Sequence, residues 1–104
     1  MALDPKILEE LKAKHSDLHL LSHDGVEVVA KRPGKAEYRR FRDMIRDEKR
    51  AADAAETFVR ACIVYPDAGA VTAIIAQRPA IVDTLANTLV GLAGLTREAE
   101  ATPL

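Results

Sequence analysis

Three histidines stand at His15, His19 and His23, a spacing that on one helix lines imidazoles along a face as a metal pair does. The residues between them break that reading. Asp24-Gly25 is a hairpin turn signal, flanked by Leu18 and Leu20 before it and Val26 and Val28 after it, so the chain must leave helix across Ser16-Asp17. His19 and His23 then hold strand positions of equal parity, on a side of the pleat read as facing solvent. Metal-ligand clusters come with orienting carboxylates, and no metal site is assigned.

Nucleophilic chemistry has no candidate either. Cys62, the only cysteine, sits among Ala61, Ile63 and Val64, where a thiol behaves as a small hydrophobe; a nucleophile there would need a base and a lowered pKa that no neighbour supplies. A single cysteine also forbids an internal disulfide and a cysteine-based zinc site, which fits a reducing compartment. Neither Ser16 nor Ser22 stands in a G-x-S-x-G elbow. Gly91 and Gly94 lack the lysine and the preceding strand of a phosphate loop. The expectation is a protein that is not an enzyme and carries no cofactor.

One cluster has chemistry in it. Arg39, Arg40, Arg42, Arg46 and Arg50 offer guanidinium forks suited to phosphate or carboxylate. From Lys31 to Arg50 nine Lys or Arg residues face four carboxylates, so this segment is basic in a chain whose net charge is −1. That overall charge gives no steering toward nucleic acid or a membrane surface. Tyr38, Phe41, Phe58 and Tyr65 are the only aromatics, too few for the stacking platforms of single-strand binders. Acid and base also alternate at helical spacing, as Arg39/Asp43, Asp47/Arg50, Lys49/Asp53 and Glu56/Arg60, pairs that contribute only about 0.3–0.5 kcal/mol each on an exposed face. The first reading of this pattern is a solvated helix face; an acidic protein partner gripped by Arg39, Arg42 and Arg46 is the middle one, and a small nucleic-acid-binding regulator using Lys31 to Arg50 is the alternative.

The elements that hold these residues can be placed in order. Asp4 caps a helix with Pro5 at its first position, running to about His15. Two antiparallel strands follow, and Pro33-Gly34 stops the second. From Lys35, the positions Tyr38, Phe41, Ile45, Ala52, Ala55, Val59 and Cys62 keep helical phase up to residue 64. Whether this is one helix or two halves meeting near Glu48 stays open. Tyr65-Pro66-Asp67 ends it, and Asp67 caps a helix from about Ala68 to Ala76. Arg78-Pro79 separates that from a helix over Ala80 to Ala93, stopped at Gly94.

The fold class is therefore α+β and mostly helical: an N-terminal helix, a two-stranded antiparallel hairpin, then three to four helices. With 104 residues and 48% hydrophobic against 30% charged, the chain suits one globular domain, residues 1–94, with 95–104 as a flexible tail. The start has charges through its apolar stretch, against a secretory signal, and the apolar run near Ala68 to Ala76 is too short for a bilayer. A cytoplasmic protein is expected.

The segments VEVVAKRPGKAEYRRF, AAETFVRACIVYPD and RPAIVDTLANTLVGLAG together resemble the tail assembly chaperones of long-tailed bacteriophages, the prophage-type small tail proteins. These show a strand pair leading into a basic-aromatic helix, a hydrophobic-Cys-hydrophobic-x-Pro-Asp helix end, and a last helix closing on glycine. The likeness covers about Asp24 to Gly94. It implies a chaperone that coats the tape measure protein before the tail tube polymerises and leaves as the tail tube protein assembles, in the bacterial host cytoplasm. Tyr38 and Phe41 match the aromatic pair, and Cys62, Pro66 and Asp67 the helix-ending motif, all in structural roles. In such families a longer frameshifted product often arises, which a tail like Leu95 to Leu104 suits. The helix before Asp17 departs from the pattern.

A counting argument points to where a partner would sit. The last helix offers Ile81, Leu85, Leu89 and Leu92 as one stripe, and Val82 and Val90 beyond it. A helix of this length buries about three or four apolar positions per two turns. The surplus at Val82 and Val90 is read either as an apolar face for a helical partner or a second copy, or as part of a dense core if the N-terminal helix and the hairpin both pack on this region.

Overall fold

The computed structural model describes residues 4–94 and 101–104. Helix α1, Pro5–Lys14, opens on the expected cap: the Asp4 carboxylate accepts from the Lys6 N–H at 2.9 Å, with Pro5 in the first turn. Ile7, Leu8 and Leu11 on α1 are only half-buried. Strands β1, Leu18–His23, and β2, Val26–Lys31, pair antiparallel from Leu18 against Lys31 to His23 against Val26. Asp24 and Gly25 both have positive φ, 48° and 81°, the two-residue turn whose twist matches that of the strands it joins.

A third strand was not legible in the sequence. Ile63–Tyr65 forms β3, antiparallel to β2, and the sheet order is β1-β2-β3. The expected helix up to residue 64 thus stops at Cys62, because Ile-Val-Tyr is a run of strand-favouring residues, Pro66 restricts Tyr65, and β2 has an open edge for them to pair with. Central β2 is buried from both faces: Val28, Val29 and Ala30 are all hidden from solvent. The phase of β1 is also the reverse of the one expected. The turn sets Leu21 against Val28 and Leu20 against Val29, so Leu21 enters the core while Leu20 is 55% exposed.

The segment after Pro33 is two helices. Helix α2, Lys35–Arg46, ends where Asp47 turns extended, and a 3₁₀ turn, Ala51–Asp53, leads into α3, Ala54–Cys62. Asp47 makes the break: its carboxylate accepts from the Lys49 N–H at 3.0 Å and the Arg50 Nε at 2.8 Å, side-chain bonds that compete with the helical ladder. The chain then folds back, and Phe41 stacks on Phe58 with ring centroids 4.4 Å apart. Met44 takes the buried position at the end of α2, leaving Ile45, expected on the buried stripe, 51% exposed.

Helix α4, Ala68–Gln77, is capped by Asp67, which accepts from the Ala70 N–H at 2.9 Å. Helix α5, Ile81–Leu92, packs on α3. Its buried residues are Ile81, Val82, Leu85, Ala86 and Leu89, an arc of about 140° at 3.6 residues per turn. The stripe is wider than the counting argument allowed, because α5 shares one cluster with both α3 (Phe58, Val59, Cys62) and the sheet (Leu21, Val28, Ala30). Arg32, at the end of β2, fastens the end of α5: one guanidinium nitrogen donates to the Leu92 carbonyl at 2.7 Å while Nε donates to Asp17 at 2.6 Å. The tail expected over residues 95–104 lies outside the described residues as far as residue 100; residues 101–104 are exposed coil.

Candidate protein-binding face on the second helix

Helix α2 has two unlike sides. Phe41 and Met44 turn toward α3, whereas Lys35, Arg39, Arg42 and Arg46 follow steps of four, three and four along the exposed side. At 3.6 residues per turn these four lie within an arc of about 60°, and at 1.5 Å per residue the row is about 16 Å long. Sequence spacing suggested that carboxylates neutralise it. The ion pairs at Asp47–Arg50 (2.8 Å) and Glu56–Arg60 (3.0 Å) do form, but Arg39/Asp43 and Lys49/Asp53 do not: among the described residues the side chains of Arg39, Arg40, Arg42 and Arg46 make no hydrogen bond or ion pair. The only α2 carboxylate held in a pair is Glu37, on Lys31 at 2.8 Å; that bond pulls Glu37 below the ordinary carboxylate range and raises Lys31.

Around the helix from the row, on the side turned to α3, the fold-back leaves an apolar slot of about 180 Å³, lined by Ala36, Phe41, Met44, Phe58 and Ala61 and rimmed by Glu37, Arg40 and Thr57. A shallow basic shelf, lined by Lys35, Ala36, Arg39, Arg40, Asp43 and Arg50, shares Ala36 and Arg40 with the slot. Slot and shelf form one surface. The slot accepts an apolar side chain against aromatic and thioether walls, and the forks suit carboxylates nearby. No local pattern announces this slot, since it exists only once the chain turns back at Asp47.

The other candidate residues are placed as follows. Val82 is 8% exposed and belongs to the core cluster that joins α5 to α3 and the sheet, so it does not lie on a partner face. Val90 is half-buried and packs against the same core. Arg39, Arg42 and Arg46 lie on the exposed side of α2. His19 and His23 do share one side of β1, but it is the side of Leu21, which faces the core, rather than the solvent side. The His19 Nε2 lies 3.1 Å from Asp17, and His23 Nε2 lies 3.5 Å from Asp24. Among the described residues no group of three or more His, Cys, Asp or Glu side chains is arranged to hold a metal ion. Cys62 is fully buried, and that burial pushes its thiol up to about 11. No helix among the described residues is long and apolar enough to cross a membrane.

The architecture is that of a small α+β domain, a helical layer closed over a three-stranded antiparallel sheet. Residues 11–102 match the family DUF6848, a domain of unknown function, and the chain belongs to that family. The fold is similar to that of an uncharacterised protein from Bacillus stearothermophilus, at a TM-score of 0.78 and 18% identity over 91% of this chain and 99% of that one. No curated protein matches the chain.

Proposed function

We propose that this protein is a non-enzymatic phage tail assembly chaperone of the bacterial cytoplasm, which binds helical segments of a tape measure protein on α2 until the tail tube protein assembles. The observation that carries the reading is the basic row Lys35, Arg39, Arg42 and Arg46, whose Lys35 and Arg39 line a shelf continuous with the apolar slot lined by Phe41, Met44 and Phe58. A long amphipathic helix lying along the shelf sets its carboxylates on Lys35, Arg39 and Arg40 and an apolar side chain in the slot, while Arg42 and Arg46 add to the positive field around it. The sequence likeness over Asp24 to Gly94 supplies the identity of that helix.

Co-expression with the tape measure protein encoded beside it tests the reading. A stable complex is expected, lost in the triple variant Arg39→Glu/Arg42→Glu/Arg46→Glu. These side chains are exposed and unpaired, so the variant keeps its fold. Absence of a complex, or full binding by the folded variant, refutes the assignment. The same open guanidinium groups also favour a nucleic-acid regulator. That second reading predicts binding to a random DNA duplex, with log affinity falling by about 0.9 per phosphate contact for each decade of salt.

A further inference from the structure

Among the described residues no strand pairs with the outer edge of β1. In the β1–β2 ladder a two-residue turn makes His23 and Val26 the first hydrogen-bonded pair, so Leu21 and His19 also direct their backbone groups inward, toward β2. The Arg32 N–H to Asp17 carbonyl bond, at 3.2 Å, continues that parity. Leu18, Leu20 and Ser22 must therefore turn their N–H and C=O groups outward, and among the described residues these groups have no partner. Such an edge is normally blunted by lysine, proline or a bulge. Within Leu18–His23 there is none of these; the sheet's irregularity lies between Val29 and Ala30 on the β3 side. Leu20, at the middle of the edge, is one of the most exposed large apolar residues.

We infer that β1 is a self-association edge, pairing antiparallel with β1 of a second copy about a two-fold axis at Leu20, which makes one six-stranded sheet from two chains. The occupant follows from self-complementarity. A two-fold axis perpendicular to the sheet keeps each face on its own side, so residues of equal parity must oppose one another. With Leu20 on the axis, Leu20 opposes itself and Leu18 opposes Ser22, and all three outward-facing residues of each copy are used, for about six new hydrogen bonds. The His23 end of each strand then lies beside the Asp17 end of the other, unlike chemistry meeting at both margins. Moving the axis to Leu21 would oppose His19 to His23 and leave Leu18 across from the turn at Asp24. The Leu20 axis is favoured on every count. This edge is separate from the α2 face, so the inference stands independently of the proposed function.

Sedimentation of the full chain at rising concentration tests it. A dimer that dissociates on dilution is expected. Leu20→Pro removes only an outward N–H and Leu20→Lys adds an edge charge, so both should sediment as monomers with an unchanged circular dichroism spectrum. Register is read by cysteine cross-linking, for which buried Cys62 is silent. Leu20→Cys should form an intermolecular disulfide under mild oxidation. Ser22→Cys should not, since it lies about 13 Å from its own copy along the strand at about 3.3 Å per residue. A wild-type monomer at every concentration, a dimer that survives Leu20→Lys, or cross-linking of Ser22→Cys in place of Leu20→Cys overturns the inference.

Discussion

Replacing Val82 decides whether α5 presents an interface or is part of the core. Val82→Ala removes two carbons from a side chain that is 8% exposed among Ile81, Leu85, Phe58 and the sheet residues. At about 0.8 kcal/mol per buried CH₂ the lost transfer energy is about 1.6 kcal/mol. A cavity that relaxes only in part adds up to about 1 kcal/mol more. The expected destabilisation is about 1.6–2.6 kcal/mol, a fall in melting midpoint of roughly 6–20 °C for a domain of this size. Val90, half-buried at the margin of the same arc, should lose less than about half of that as Val90→Ala. The lysine variants should diverge further. Val82→Lys must bury an ammonium or open the core, and should not fold, whereas Val90→Lys can lead its charge to solvent along its own stem and stays folded. Thermal and urea unfolding followed by circular dichroism measure all four. A loss below about 0.5 kcal/mol for Val82→Ala, well under the transfer cost, or a Val82→Lys protein as stable as the wild type, would refute the core assignment and return the interface to α5.

Gly25→Val should cost more than about 1 kcal/mol: the site has φ +81 and no heavy atom within 4 Å of an added Cβ, so the penalty is wholly backbone strain, and an unchanged melting midpoint would disprove it. Cys62 should resist thiol reagents in the native protein and react once urea unfolds it, because burial holds its thiol near 11; rapid native labelling would contradict this. Acid should weaken the fold in a defined way. Asp17, held low by Arg32, Asp47, held low by Arg50, and Glu37, held low by Lys31, bind protons less readily folded than unfolded, so the stability they add is present above the ordinary values of 3.8 and 4.5 and is lost as pH falls through the folded values. Arg32→Gln should flatten part of that acid limb at little cost in stability, since the pair is half exposed, and an acid limb identical to that of the wild type would show the Asp17 bond to be inert.

The features legible in the amino-acid order are those decided within a few residues. Asp4-Pro5 and Asp67 cap their helices through bonds two or three positions away, Asp24-Gly25 adopts its turn because the left-handed region suits those two residues, and Gly94 closes α5 at φ 113 with its N–H on the Gly91 carbonyl. The α+β class, the hairpin and the exposed arginines at 39, 42 and 46 follow from such local rules. What tertiary structure alone decided was partnership. Ile63–Tyr65 is a strand because β2 has a free edge beside it, the helix breaks at Asp47 so that Phe58 can reach Phe41, and Val82 is buried because α5 meets both α3 and the sheet. Helical periodicity specifies which residues share a face. How wide an arc of that face is buried depends on how many elements converge on it, and those elements come from distant parts of the chain.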